Sequence, residues 1–178
     1  LPLNSKKQWL QYQQKTARQW RYNGGYRNDF AQAYRLYTLA LAGAPDLSSM
    51  NRLRETAGIA NESRLRLAAA YALAGQKSVG QQLLNQSSLE MENNEYGYYY
   101  YGSPERNRAM ALETLTILGQ KEKAFSLANK LAKQMSSGEW MSTQTTAYCL
   151  YAMSKFAQLN GPKGIDSSYT NKGKTQAI

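Results

Sequence analysis

The pentapeptide Ala33-Tyr34-Arg35-Leu36-Tyr37 returns late in the chain as Ala147-Tyr148-Cys149-Leu150-Tyr151, with alanine, leucine and both tyrosines at the same spacing. Tyrosine and leucine recurring at three and four residues draw one apolar stripe along a helix. Other stretches echo this unit. Tyr71-Ala72-Leu73-Ala74-Gly75 resembles Leu39-Ala40-Leu41-Ala42-Gly43, and Thr114-Leu115-Thr116-Ile117-Leu118-Gly119 closes in the same way. The distances between these glycines are those of helical-hairpin repeats. Such hairpins cannot bury an apolar face alone, so they stack as an open solenoid or close into an α/α toroid. Ala68, Ala69 and Ala70 are small enough to let neighbouring helices come close.

The rest of the chain agrees with an all-α fold. Helix-period patterning predicts helices over residues 5–20, 30–42, 47–55, 62–74, 77–85, 104–118, 121–135 and 143–159, and strand-period alternation is hard to find before the last residues. Gly43, Gly75 and Gly119 each follow an apolar run, where a residue past the helix end must take positive φ. Asp46 and Ser142 are placed to cap first-turn N–H groups, and Ser103-Pro104-Glu105 sets a capping hydroxyl before a proline that has no N–H to leave unpaired.

The loops Tyr22-Asn23-Gly24-Gly25-Tyr26 and Ser137-Gly138-Glu139-Trp140-Met141-Ser142-Thr143-Gln144-Thr145 each precede an Ala-Tyr-x-Leu-Tyr helix. They resemble the connections of α/α toroids, in which glycine permits the turn and the aromatic plugs the end of the barrel. Tetratricopeptide repeats hold a stricter period, with a proline near the end of the second helix that is missing here.

Composition narrows the chemistry. Of 178 residues 42% are hydrophobic, enough for a real core. No apolar run approaches the roughly 20 residues of a membrane span; the best, 65–74, is interrupted by Arg66. Cys149 is the single cysteine and there is no histidine. That excludes an internal disulfide framework and a multi-cysteine metal site, and removes the usual zinc ligand and general base. The net charge of +10 would support non-specific binding to phosphates. After Lys6, Lys7, Lys15, Arg18, Arg21 and Arg27, however, the basic residues are scattered and no nucleic-acid motif accompanies them, so a solvated basic face is expected and no specific nucleic-acid partner. Leu1 at the start, the lack of a leader pattern and the ending Thr175-Gln176-Ala177-Ile178 read as those of an excised segment.

Three stretches look like the thioester domain of bacterial alpha-2-macroglobulins. They are 32–43 running on to Met50-Asn51-Arg52-Leu53-Arg54-Glu55; Tyr101-Gly102-Ser103-Pro104-Glu105-Arg106-Asn107-Arg108-Ala109; and Trp140-Met141-Ser142-Thr143-Gln144-Thr145-Thr146-Ala147-Tyr148. The resemblance covers residues 1–160, the later half of that domain, and residues 161–178 look like an exit toward a following β-rich domain. It implies helical hairpins of a partial toroid inside a broad-range protease trap of the bacterial envelope, with a periplasmic setting. In such proteins a cut in a bait segment exposes a thioester that captures the protease. The implied partners are other domains of the parent protein and, through it, target proteases. The family's thioester needs a cysteine followed closely by Glu-Gln, whereas Cys149 is followed by Leu150-Tyr151-Ala152, so this chain lacks the motif.

No catalytic, cofactor-binding or metal-binding residue is therefore expected here, and the segment is not read as an enzyme. Cys149, mid-helix between tyrosines and without a histidine partner, reads as a small core hydrophobe. The run Tyr96-Gly97-Tyr98-Tyr99-Tyr100-Tyr101-Gly102 reads as an ordered connector, with contact to another domain as the alternative. Pairs among Glu90, Glu92 and Glu95 could in principle serve glycoside chemistry, since α/α toroids also host glycosidases, but they read as a solvated turn. An α-solenoid scaffold, or a toroid enzyme acting on saccharides or prenyl groups, stands as the alternative function.

Overall fold

The computed structural model describes residues 3–24, 28–90, 103–160, 168–171 and 174–177. The fold is all-α. Its helices are α1 (Leu3–Gln19), α2 (Asn28–Leu41), α3 (Leu47–Glu55), α4 (Asn61–Leu73), α5 (Lys77–Asn85), α6 (Pro104–Leu118), α7 (Lys121–Met135) and α8 (Thr143–Asn160). At the C-terminal end Ser168–Asn171 (β1) pairs antiparallel with Lys174–Ala177 (β2), Ser168 opposite Ala177.

The expected punctuation is present, and it has a common form. At the ends of α2, α4 and α6 the glycines Gly43, Gly75 and Gly119 have φ of 77°, 81° and 76°. In each case the next residue donates back five positions: Ala44 N to Leu39 O, Gln76 N to Tyr71 O, and Gln120 N to Leu115 O, at 2.8–2.9 Å. Each is a Schellman stop, satisfying carbonyls the helix leaves open. The starts of the helices are capped as well. Asp46 accepts from Ser49 N at 3.0 Å, Ser103 from Arg106 N at 3.1 Å with Pro104 in the first turn, and Ser142 from Thr145 N at 3.2 Å.

The even helices form one layer in chain order, α2 against α4, α4 against α6 and α6 against α8, while α1, α3, α5 and α7 cover their outer side. Contacts between first turns show that the even helices run parallel. Asp29 of α2 accepts from Ala60 N and Ser63 Oγ at the start of α4, at 2.6 and 2.8 Å. Asn107 of α6 donates to Glu62 of α4 at 3.2 Å, and Ser103, capping α6, meets Thr145 of α8 at 3.0 Å.

The two central helices are buried almost all round. On α4 this includes Leu65 through Tyr71, and on α6 Ala109 through Thr116, the pattern of a helix enclosed by neighbours. Gly80 of α5 allows a close approach: a Cβ there would lie 2.7 Å from the carbonyl oxygen of Ala68 and 3.1 Å from Leu118 Cδ2. The outer members, α2 and α8, are less enclosed.

The layer is curved. Helices packed side by side lie about 8–10 Å apart, so a flat row would hold the axes of α2 and α8 about 24–30 Å apart. Yet the hydroxyls of Tyr34 on α2 and Tyr148 on α8 are hydrogen-bonded. Two tyrosines meeting tip to tip, with the helix radius behind each, span only about 18–20 Å. The row therefore bends, and these tyrosines lie on its concave side.

Among the two glycine-aromatic loops, Gly138 has φ of 76°, as a turn glycine should. The aromatic beside it does not plug the array: Trp140 is 88% exposed, because no described helix covers that end. In the first loop Gly24 has φ of 66°, while Gly25 and Tyr26 lie outside the described residues.

Candidate functional site

Side chains from all of the even helices converge on the concave face. Glu113, in the middle of α6 and 1% exposed, is the hub. Its Oε2 accepts from Arg66 Nη1 of α4 at 2.8 Å, and Arg66 is equally buried. Its Oε1 accepts from the Tyr37 hydroxyl of α2 at 2.6 Å and from Lys155 Nζ of α8 at 3.0 Å. The Arg66 guanidinium carbon lies 4.3 Å from the centre of the Tyr37 ring and 5.6 Å from that of Tyr34, within cation–π range. Lys155 Nζ lies 4.8 Å from the Tyr151 ring.

Electrostatics here fix protonation states. Burial alone would raise the Glu113 carboxyl, but the Arg66 charge and the hydrogen bonds from Tyr37, Arg66 and Lys155 outweigh it and hold it below its usual value. Glu113 is therefore ionised at neutral pH. Burial pushes the Tyr37 hydroxyl well up, reinforced by its bond to Glu113, and it does the same to Tyr148, reinforced by the Tyr34 hydroxyl. Burial opposes the charge on Lys155, yet the contacts with Tyr151 and Glu113 win and raise it. A carboxylate so held is a poor proton shuttle, since catalytic acids need values near the working pH. The arrangement is suited to fixing four helices in register and to presenting positive charge.

The residues singled out from sequence lie elsewhere or at the edge of this cluster. Cys149 is fully buried and its thiol, 3.8 Å from the Glu105 carbonyl oxygen, is pushed up to about 11 by burial and then by Glu105. That is the packed, unreactive cysteine expected. Glu90 is exposed, and its carboxylate approaches Lys130 at 4.0 Å across the surface. Glu92, Glu95 and the 96–102 tyrosine run lie outside the described residues. Among the described residues no group of histidine, cysteine and carboxylates is placed to hold a metal ion, and no helix is long and apolar enough to cross a membrane.

Sequence reasoning did not single out Tyr37, Arg66, Glu113 and Lys155 as a site. The available signal was a charge inside an apolar run, as in Leu65-Arg66-Leu67 and Leu112-Glu113-Thr114: an ion in the middle of a buried helix needs a partner. Compared with family models, curated proteins and solved structures, the chain matches none.

Proposed function

We propose that this chain is a structural and binding segment of a thioester-type domain in an alpha-2-macroglobulin-like protease inhibitor of the bacterial cell envelope, with no catalysis of its own. The observation that carries the reading is the curved layer joined by Tyr34 and Tyr148. In a ring of six helices at the usual spacing, the first and fourth stand about 16–20 Å apart, the span two facing tyrosines cover. An extended solenoid would keep its first and fourth helices farther apart. The parallel inner helices with antiparallel outer ones are what a partial α/α toroid requires.

The edges of the layer support the same reading. Helix α8 leaves Leu150, Tyr151 and Leu159 exposed, and its one charged residue, Lys155, turns toward Glu113. At the other edge Trp9, Phe30 and Tyr34 line an open groove between α1 and α2. Faces of this kind fit burial against further domains of a parent protein. In this reading the chain supplies a rigid wall for a thioester element carried elsewhere in that protein, and target proteases are met through the parent in the periplasm.

The test is inhibition by the parent protein against endopeptidases of unrelated specificity, with the 178-residue chain as control. Broad inhibition by the parent and none by the chain is expected. A parent that inhibits none of them overturns the proposal.

A further inference from the structure

Arg66 carries two buried nitrogens, Nε and Nη2, with no hydrogen-bond acceptor. Together they form one side-on edge of the guanidinium, the fork that matches the two oxygens of a carboxylate. Nη1 is already engaged by Glu113. The local charge is also uneven: among the described residues Glu113 is the carboxylate paired with both Arg66 and Lys155, so two cations share one anion. The faces of Tyr34 and Tyr37 ease the burial of Arg66, but a ring is a weak acceptor and neutralises no charge. Above this edge the concave face offers further donors. The Tyr34 ring lies 5.6 Å from the guanidinium carbon and its hydroxyl meets that of Tyr148, while Lys155, its side chain 28% exposed, reaches the same Glu113 carboxylate.

We propose that this face is a carboxylate-binding site. A single carboxylate enters beside Lys155 as Tyr34 and Tyr148 part, and seats its two oxygens on the Nε–H and Nη2–H of Arg66. The excess of one positive charge matches a monoanion. The carboxylate belongs either to a small free acid or to an Asp or Glu side chain of a neighbouring segment or protein; the recognising chemistry is the same. This site does not depend on the protease-trap reading.

The experiment follows the Arg66 Nε–H resonance of the 15N-labelled chain while sodium acetate replaces sodium chloride at constant ionic strength. A saturable shift is expected, weakened about tenfold or more in Lys155→Met, whose substitution leaves Arg66 and Tyr37 on Glu113. Arg66→Lys assigns the resonance; should that variant fail to fold, Lys155→Met still tests the site. Phosphate should give no saturable shift. An Arg66 resonance that ignores acetate, or that responds alike to chloride and phosphate, overturns the proposal. In the parent protein, a resonance already displaced and insensitive to acetate assigns the ligand to an acidic side chain, and one that still responds assigns it to a free acid.

Discussion

Arg66 Nη1 lies 2.8 Å from Glu113 Oε2 with both side chains 1% exposed, and this pair joins the two most enclosed helices of the fold. Breaking it from one side leaves a buried charge without its partner. Glu113→Ala is expected to cost about 3–5 kcal/mol. The double variant Arg66→Met, Glu113→Leu should cost clearly less than the sum of the two single changes, because it removes both charges and retains volume. Urea unfolding midpoints of the unsubstituted chain, Glu113→Ala, Arg66→Met, Glu113→Leu and the double variant check this; a double variant whose loss equals the sum of its two single changes would contradict it.

Stability should depend on pH at both extremes. The folded values of Glu113 and Asp46 lie below their unfolded 4.5 and 3.8, so their contributions are complete above those values and are lost as pH falls through the folded ones. For Tyr37 and Tyr148 the folded values lie above 10.0 and for Lys155 above 10.5, so theirs are complete below those pH values and are lost as pH rises. Because the Cys149 thiol is likewise raised, from 9.0 to about 11, a plateau between about pH 5 and 8.5 is expected in the thermal midpoint. Glu113→Gln should flatten the acid limb; an acid limb unchanged by that substitution would be the contrary result.

Gly80→Ala should destabilise although alanine is the better helix former. The added methyl would sit 2.7 Å from a backbone carbonyl that cannot swing aside, so α4 and α5 must separate, at a cost of about 1–3 kcal/mol. Denaturant unfolding decides it: a variant as stable as the parent sequence would show that the approach is looser than described.

Cys149 should resist alkylation in the folded chain. It is fully buried and its thiol is raised to about 11, leaving little thiolate at pH 8. Iodoacetamide labelling followed by intact mass should give no adduct in buffer and one in denaturant. Rapid labelling in buffer would contradict the packing of α8.

Much of this architecture is legible in the sequence because it is local. Gly43, Gly75 and Gly119 mark their stops through positive φ, and Ser103 with Pro104 marks a start. The repeated Ala-Tyr-x-Leu-Tyr unit points to two related helices, and structure adds that their tyrosines Tyr34 and Tyr148 meet. The cluster around Glu113 was not legible, because its partners lie 42, 47 and 76 residues away and no local pattern encodes which helices the curvature brings together. Gly80 was silent for a similar reason: its role is set by Ala68 and Leu118 on other helices.

The central claim, that this segment is a wall and the capture chemistry lies elsewhere in the parent, is tested most directly by intact-mass spectrometry after incubation with labelled methylamine and with an active protease. Acyl capture needs an activated carbonyl, and without a Cys-x-Glu-Gln element this chain has no means to store one. The isolated chain is predicted to keep its mass, while the parent gains an adduct that maps outside these 178 residues. A stoichiometric adduct on Cys149 or on any glutamine of this chain would contradict the account.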